Sequence, residues 1–452
     1  MNLLTNISPI DGRYKTSVEE LSEYFSEMAL MRYRLMVEIE YLIALSIEKN
    51  INEIEPLTLE QQNKLKSYYK NFSNEDAQSI KKIEETTNHD VKAIEYFLKE
   101  KLQNTKFNKY IEFIHFALTS EDINNLAYTL MWNSAIKNIY LPKISEVQEK
   151  FIIFAKKNKH QPMLSLTHGQ SATPTTVGKE FAVFAHRLQR QILQLSNHKL
   201  QGKFGGATGT WGAHNIAYPN IDWINFSKNF ISSLNLEPNI ITIQIESHDS
   251  ITESYQIIER INTILIDFTR DIWMYISRGI FGQKKKDNEI GSSAMPHKIN
   301  PIQFENAEGN LGIANAYFVH LSQKLPISRM QRDLTDSTVL RNQGIPLAHS
   351  LLACKNILKG MSRLTINKEK LDEELNNHWE VLAEAIQTVM RKVGYEKPYE
   401  KLKELTRGEK VNKQTIYNFI NSLEIPEEEK NKLLKLTPHT YIGLSTDVVD
   451  LI

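Results

Sequence analysis

The chain has 452 residues, of which 41% are hydrophobic and 24% charged; that is the composition of a folded globular protein, with more apolar surface than one ordinary core buries. Its 54 Lys and Arg balance 54 Asp and Glu, so there is no bulk attraction to nucleic acid or to an anionic membrane, although a local basic pocket stays open. The lone Cys354 has no partner within the chain, which excludes a disulfide framework and points to a reducing compartment.

The segment from Met1 to Tyr14 reaches Asp11 and Arg13 without a basic stretch followed by an apolar one, unlike a secretory signal. No run nears the roughly 18 apolar residues of a membrane span. A cytoplasmic protein with no membrane partner is the expectation.

From Gly12 to Gly169 there is no glycine, and prolines are sparse, with Pro56 and Pro142 among them. So long a stretch with few helix breakers predicts long helices. From Asp90 to Glu100 apolar residues recur at helical spacing with charges opposite, an amphipathic pattern. Further runs at 179–201, 239–278, 313–325, 327–343 and 361–393 also lack breakers. The run from Ile251 to Arg278 is apolar on more than one face, as suits the inside of a bundle. Glycines cluster at Gly202 to Gly212, and Ile240 to Ile245 reads as a short extended piece. Beyond about Asn367 the segments shorten and Glu and Lys become more frequent, which marks a small separate helical domain. The fold class expected is all-α with minor strands, divided at 1–111, 112–366 and 367–452.

Several short stretches carry polar groups suited to chemistry. Asn88, His89 and Asp90 precede the amphipathic run, where Asn88 or Asp90 fits an N-cap. Thr119-Ser120-Glu121-Asp122 has the spacing of a capping box, and a helix N-terminus also offers free N–H groups to an anion. His168 stands beside Gly169, a turn or helix-end placement, yet an imidazole can also protonate a leaving nitrogen near neutral pH. Gly291-Ser292-Ser293-Ala294-Met295-Pro296-His297-Lys298-Ile299-Asn300-Pro301 places two hydroxyls, a cation and an amide in a loop that its two prolines keep from being helical. Such groups can hold a developing anion. From Arg329 to Arg341, pairs Arg329/Asp333 and Arg332/Asp336 fall at i,i+4, while three arginines with Ser337 and Thr338 could clamp a phosphate. No Gly-x-Gly-x-x-Gly, phosphate loop, His-Glu-x-x-His or Cys/His cluster is present. No cofactor and no dedicated metal site are expected; His115, His214 and His248 read as structural.

The Gly291–Pro301 pattern resembles the signature loop of the fumarase/aspartase superfamily, and His297 within it resembles the adenylosuccinate lyases of that superfamily. Matching blocks run from Arg13 to Arg341, with Glu396 to Gly408 extending the likeness. The one departure beside His168 is Ser171, where the family usually carries Pro. The resemblance implies three helical domains around a bundle of long helices, a homotetramer, and active sites shared between subunits. It implies β-elimination of fumarate from adenylosuccinate and from the succinylcarboxamide imidazole ribotide. By alignment Ser292 would be the base, His168 the acid, Lys298 and Asn300 the stabilisers of the carbanionic intermediate, and His89 an orienting or charging group. Arg13, Tyr14, Asn88, Asp90, Thr119, Ser120, Gln244, Asn306, Arg332, Ser337, Thr338 and Arg341 would bind substrate. Rival readings are another lyase of the same superfamily, such as one acting on argininosuccinate, a helical scaffold without chemistry, and a nucleic-acid-binding helical protein.

Overall fold

A computed structural model describes residues 3–284, 295, 298–405 and 411–452. Among the described residues helices dominate, and the strands form three separate two-stranded sheets. The chain divides into two compact units. One comprises Met1–Lys143, Gln191–Thr263 and Gly309–Ala353, the other Ile144–Arg190, Ile264–Glu308 and Cys354–Ile452. Among the described residues no helix is long and apolar enough to cross a membrane.

The first unit is built on the helices Glu27–Ile47, Asp90–Gln103 and Ser120–Ala135. Ser26 starts the first of them by accepting the Ala29 N–H at 3.1 Å, which meets one of the donors a helix start leaves open. Its core centres on Trp132, whose ring meets Tyr255 edge-on at 4.7 Å and whose Nε1 donates to Ser254 Oγ at 2.8 Å. A second aromatic group surrounds Tyr41, with Phe204 at 5.0 Å and Phe230 at 5.7 Å. Gly344 is required where it stands, since a Cβ there would lie 2.5 Å from Phe25 Cβ.

In the second unit Phe151 and Phe268 pack at 4.2 Å, as do Phe154 and Phe181. The strands Pro162–Thr167 and Gln170–Thr176 form an antiparallel hairpin in which Thr167 pairs with Gln170. A separate apolar cluster, including Trp379, Ile386, Ile416, Ile420 and Leu433, gathers the short helices near the C-terminus.

The helical expectations at 90–100, 179–201 and 313–325 correspond to the helices Asp90–Gln103, Val177–Asn197 and Ile302–Lys324, the second ending four residues early and the last starting well before Ile313. Three details differ. The extended piece falls at Glu237–Asn239, paired in parallel with Gln201–Lys203, rather than at 240–245, and the following helix starts only at Asp249. The 361–393 run is broken by the strand Leu364–Ile366, which pairs with Phe281–Gln283, and by the cap Asn367. The 327–343 run is helical only at Thr335–Leu340 before the next helix at Gly344. Here side chains capture the backbone amides that a helix needs. Asp333 Oδ2 accepts the Arg329 N–H at 3.1 Å, Asp333 Oδ1 accepts the Thr335 N–H at 2.8 Å, and Ser328 Oγ accepts the Asp333 N–H at 3.1 Å.

Candidate active site

Within the first unit a cleft of about 360 Å³ is lined by Asn88, His89, Asp90, Ser120, Arg332, Ser337, Thr338 and Arg341, together with Arg34 and Asn124. Residues from four distant stretches thus meet at one place. Local chemistry explains how each is held. Asn88 takes the left-handed conformation (φ 50°) and closes the helix Asn74–Thr87, so it is a C-cap and not the N-cap expected of it. The N-cap of the next helix is His89, whose Nδ1 accepts the Lys92 N–H at 3.1 Å, and Asp90 is the first residue inside. With Nδ1 serving as acceptor, the proton of the neutral ring resides on Nε2.

Asp90 is gripped from two sides: Arg34 Nη2 and Arg341 Nη2 both donate to its Oδ2, each at 2.8 Å. Burial raises its carboxyl pKa, but the two guanidinium groups outweigh burial and hold it down at about 2.

Thr119 begins the helix Ser120–Ala135, and its N–H donates to Asp122 Oδ2 at 2.9 Å, one half of the capping box. Asp122 does more than cap. Its Oδ1 accepts from Lys203 Nζ at 2.8 Å and from the Gly205 N–H at 2.9 Å, and both members of this ion pair are fully buried. The start of the helix that carries Ser120 is thereby pinned to the glycine-rich turn. Beside it His214 lies buried between Phe204 and Trp223, and neither ring nitrogen finds a hydrogen-bond partner among the described residues. Burial lowers its pKa to about 4, Lys203 adding to the effect and Asp122 opposing it.

Arg332 does not pair with Asp336 as the i,i+4 spacing suggested, because the segment is no helix at that point. Its Nη2 donates to Glu121 Oε1 at 2.9 Å and to Ser337 Oγ at 3.3 Å, and its Nη1 to Gln244 Oε1 at 3.1 Å. Arg329 likewise meets Asp333 through its backbone N–H. Asp336 instead lies 3.8 Å from His248 Nε2, too far for a direct hydrogen bond.

Arg13 and Tyr14 lie in the same unit but are not among the described residues lining the cleft; the Arg13 guanidinium stands 5.9 Å from the Tyr14 ring. His115, read as structural, has its Nδ1 2.6 Å from Glu38 Oε1. Burial lowers its pKa, but the Glu38 carboxylate more than compensates and the net shift is upward.

In the second unit His168 and Gly169 are the two-residue turn of the hairpin, both with positive φ (53° and 74°). This is the conformation that a tight hairpin connection favours, and it presents the His168 side chain at an exposed tip. Lys298 is exposed, Asn300 half-buried just before the helix Ile302–Lys324, and Asn306 within that helix accepts from Asn356 Nδ2 at 2.8 Å. Ser292 lies outside the described residues.

Sequence reasoning missed Arg34, Glu121 and Asn124. A signal existed for Arg34: it interrupts the apolar stripe of its helix at helical spacing from the buried Leu30 and Glu38. A charge on a buried face requires a partner elsewhere.

The chain resembles solved structures over nearly its whole length. With 3-carboxy-cis,cis-muconate lactonizing enzyme from Pseudomonas putida the TM-score is 0.74 at 18% identity, covering 97% of each chain. With fumarate lyase from Mesorhizobium sp. BNC1 it is 0.75 at 16% identity, covering 96% of this chain and 97% of the other. These likenesses define the class of fold, a helical architecture shared by lyases and lactonizing enzymes. Residues 12–314 match the Lyase family model and residues 328–442 the model described as adenylosuccinate lyase C-terminal. Identity is 53% over 451 residues to the adenylosuccinate lyase of Haemophilus influenzae, spanning 100% of this chain and 99% of the relative. It is 50% over 451 residues to that of Escherichia coli, with the same coverage, and 50% over 464 residues to that of Dictyostelium discoideum, covering 99% of this chain and 98% of the relative. The chain belongs to the adenylosuccinate lyase family.

Proposed function

We propose that the enzyme eliminates fumarate from adenylosuccinate, leaving AMP, and from the succinylcarboxamide imidazole ribotide, leaving the carboxamide. The observation that carries the reading is the convergence of Arg332, Ser337, Thr338 and Arg341 with Ser120 and His89 around one cleft. A phosphate there meets cationic forks, hydroxyls and a helix start together. Arg13, Tyr14, Asn88, Asp90, Thr119, Gln244 and Asn306 complete the substrate-binding set.

The chemistry follows from the substrate. The proton to be removed lies on carbon beside a carboxylate and is barely acidic, so the barrier is formation of a dianionic aci-carboxylate. Ser292 takes that proton. A serine hydroxyl is a base only when its alkoxide is stabilised, and Lys298 with the loop amides supplies the positive field. Lys298 and Asn300 also stabilise the extra charge on the succinyl group. His168 protonates the nitrogen as the C–N bond breaks, and His89 presents its Nε2–H to the cleft as an orienting donor.

An acid exposed at a hairpin tip suits a site completed by another subunit, and the homotetramer with shared active sites that the family resemblance implies would supply that subunit. Three helical domains, at 1–111, 112–366 and 367–452, and a cytoplasmic location belong to the same proposal; the separate apolar cluster around Ile416 supports the last of the three. No cofactor takes part in this scheme. The test is a spectrophotometric assay of purified enzyme on adenylosuccinate and argininosuccinate. Stoichiometric AMP and fumarate from the first alone is the expected result; fumarate from argininosuccinate, or from neither, overturns the reading.

A further inference from the structure

Arg332 and Arg341 are both cations and cannot bond each other, yet an unbroken run of side-chain hydrogen bonds joins them. Arg332 Nη2 donates to Glu121 Oε1 at 2.9 Å, and Asn124 Nδ2 donates to the same oxygen at 2.9 Å. Asn124 Oδ1 accepts from Arg34 Nε at 2.9 Å. Arg34 Nη2 then donates to Asp90 Oδ2 at 2.8 Å, and that oxygen also accepts from Arg341 Nη2 at 2.8 Å.

The stretch of this run from Glu121 to Arg34 is dry, while Asp90 is 28% exposed and the two end arginines also reach solvent. The side chains of Arg34 and Glu121 are 3% and 2% exposed, whereas Arg332 and Arg341 keep 17% and 47%. Buried charges persist only when paired and hydrogen-bonded, and here cation and carboxylate alternate with one neutral amide between them. The amide can face only one way: its oxygen must meet the Arg34 donor and its nitrogen the Glu121 acceptor. Three guanidinium groups against two carboxylates leave one surplus positive charge within the array. A free arginine side chain loses about 2 kcal/mol of rotamer entropy when a ligand immobilises it; here that ordering is already present in the folded chain.

We propose that Glu121, Asn124 and Arg34 are positioning residues that fix the spacing of Arg332 and Arg341 for the substrate's phosphate group. The inference rests on the nucleotide reading above and assigns to three residues a role exerted through their hydrogen-bonded neighbours. Glu121 sets Arg332, Arg34 sets Asp90 and through it Arg341, and Asn124 makes the two ends one frame.

The test compares AMP with adenosine as competitive inhibitors of the full-length enzyme, in wild type, Asn124→Asp and Glu121→Gln, with thermal unfolding measured alongside. Asn124→Asp removes the donor to Glu121 and sets two carboxylates together. It should weaken AMP by about tenfold or more, leave adenosine within about twofold, and raise KM for adenylosuccinate more than it lowers kcat. Glu121→Gln keeps an oxygen that can accept from both Arg332 and Asn124, and should retain AMP binding within about threefold. Should Asn124→Asp fail to fold, Arg34→Lys, which keeps the charge but cannot make both bonds, must show the same phosphate-specific loss. Equal weakening of AMP and adenosine, or unchanged AMP binding in a folded variant, overturns the proposal. A wild-type enzyme that neither binds AMP nor splits adenylosuccinate would instead remove the nucleotide reading, and this inference with it.

Discussion

The two units treat their polar groups in opposite ways. In the first, the polar groups near the cleft are tied in advance: Asp90 to two arginines, Arg332 to Glu121, Asp122 to Lys203. In the second, two of the residues assigned to the chemistry stand exposed, His168 on a hairpin tip and Lys298 before a helix, while Asn300 is half-buried. The contrast teaches that recognition and reaction are prepared differently. A recognition surface gains from being fixed before substrate arrives, whereas an acid that must meet substrate, and in our proposal a neighbouring subunit, has to protrude. The first unit should therefore respond to mutation through stability and affinity, and the second through turnover.

The largest expected effect separates the two cleanly. His168→Ala should lower kcat by about 10²–10⁴ with unchanged thermal unfolding, because the side chain is exposed; initial rates and calorimetry on the same preparation decide it. Retained wild-type turnover would remove His168 from its role. Lys203→Ala should do the reverse. It strands a fully buried Asp122 carboxylate, which costs about 3–5 kcal/mol of stability, read as a shifted denaturation midpoint.

A smaller effect concerns pH. His214 has a folded-state pKa of about 4, below the ordinary value of about 6.5. Its contribution to stability is therefore complete above about pH 6.5 and is lost as pH falls toward 4, since only the unfolded chain takes up the proton in that window. The slope is at most about 1.4 kcal/mol per pH unit. His214→Leu should flatten the melting temperature between those limits; an unchanged slope would show that the proton is taken up elsewhere. Smallest of all is Gly169→Ala, at a positive φ with open space around the missing Cβ. It should cost about 1 kcal/mol in the hairpin and lower turnover through the aim of His168, without changing KM for adenylosuccinate.

How much of this could be read in the sequence differs by element. The helix from Asp90 was legible because breakers are absent and apolar residues recur with the helical period, and the absence of breakers at 313–325 marked the second half of Ile302–Lys324, whose first half holds Gly309 and Gly312. The 327–334 stretch was not, since Asp333 and Ser328 divert its amides, and that competition leaves no trace in a breaker count. At the cleft, Arg332, Ser337, Thr338 and Arg341 were nominated from a local cluster of arginines and hydroxyls. Glu121 and Asn124 were not, because their roles come from partners as many as 211 positions away, and the charge of Arg34 on a buried helix face signalled a partner without saying which. The cap at His89 was misassigned to Asn88 or Asp90 because an imidazole nitrogen rarely serves where Asn and Asp are the usual choice.

The proposal that the site is completed across subunits can be tested by mixing two impaired variants at a substrate concentration too low for the affinity-impaired one to turn over. His168→Ala lacks the proposed acid and Arg332→Ala the proposed phosphate fork. If the two halves of a site come from different subunits, mixing and reassembling the variants should restore fumarate release from adenylosuccinate that neither shows alone. Mixtures that exchange subunits and yet stay as inactive as their components would contradict it.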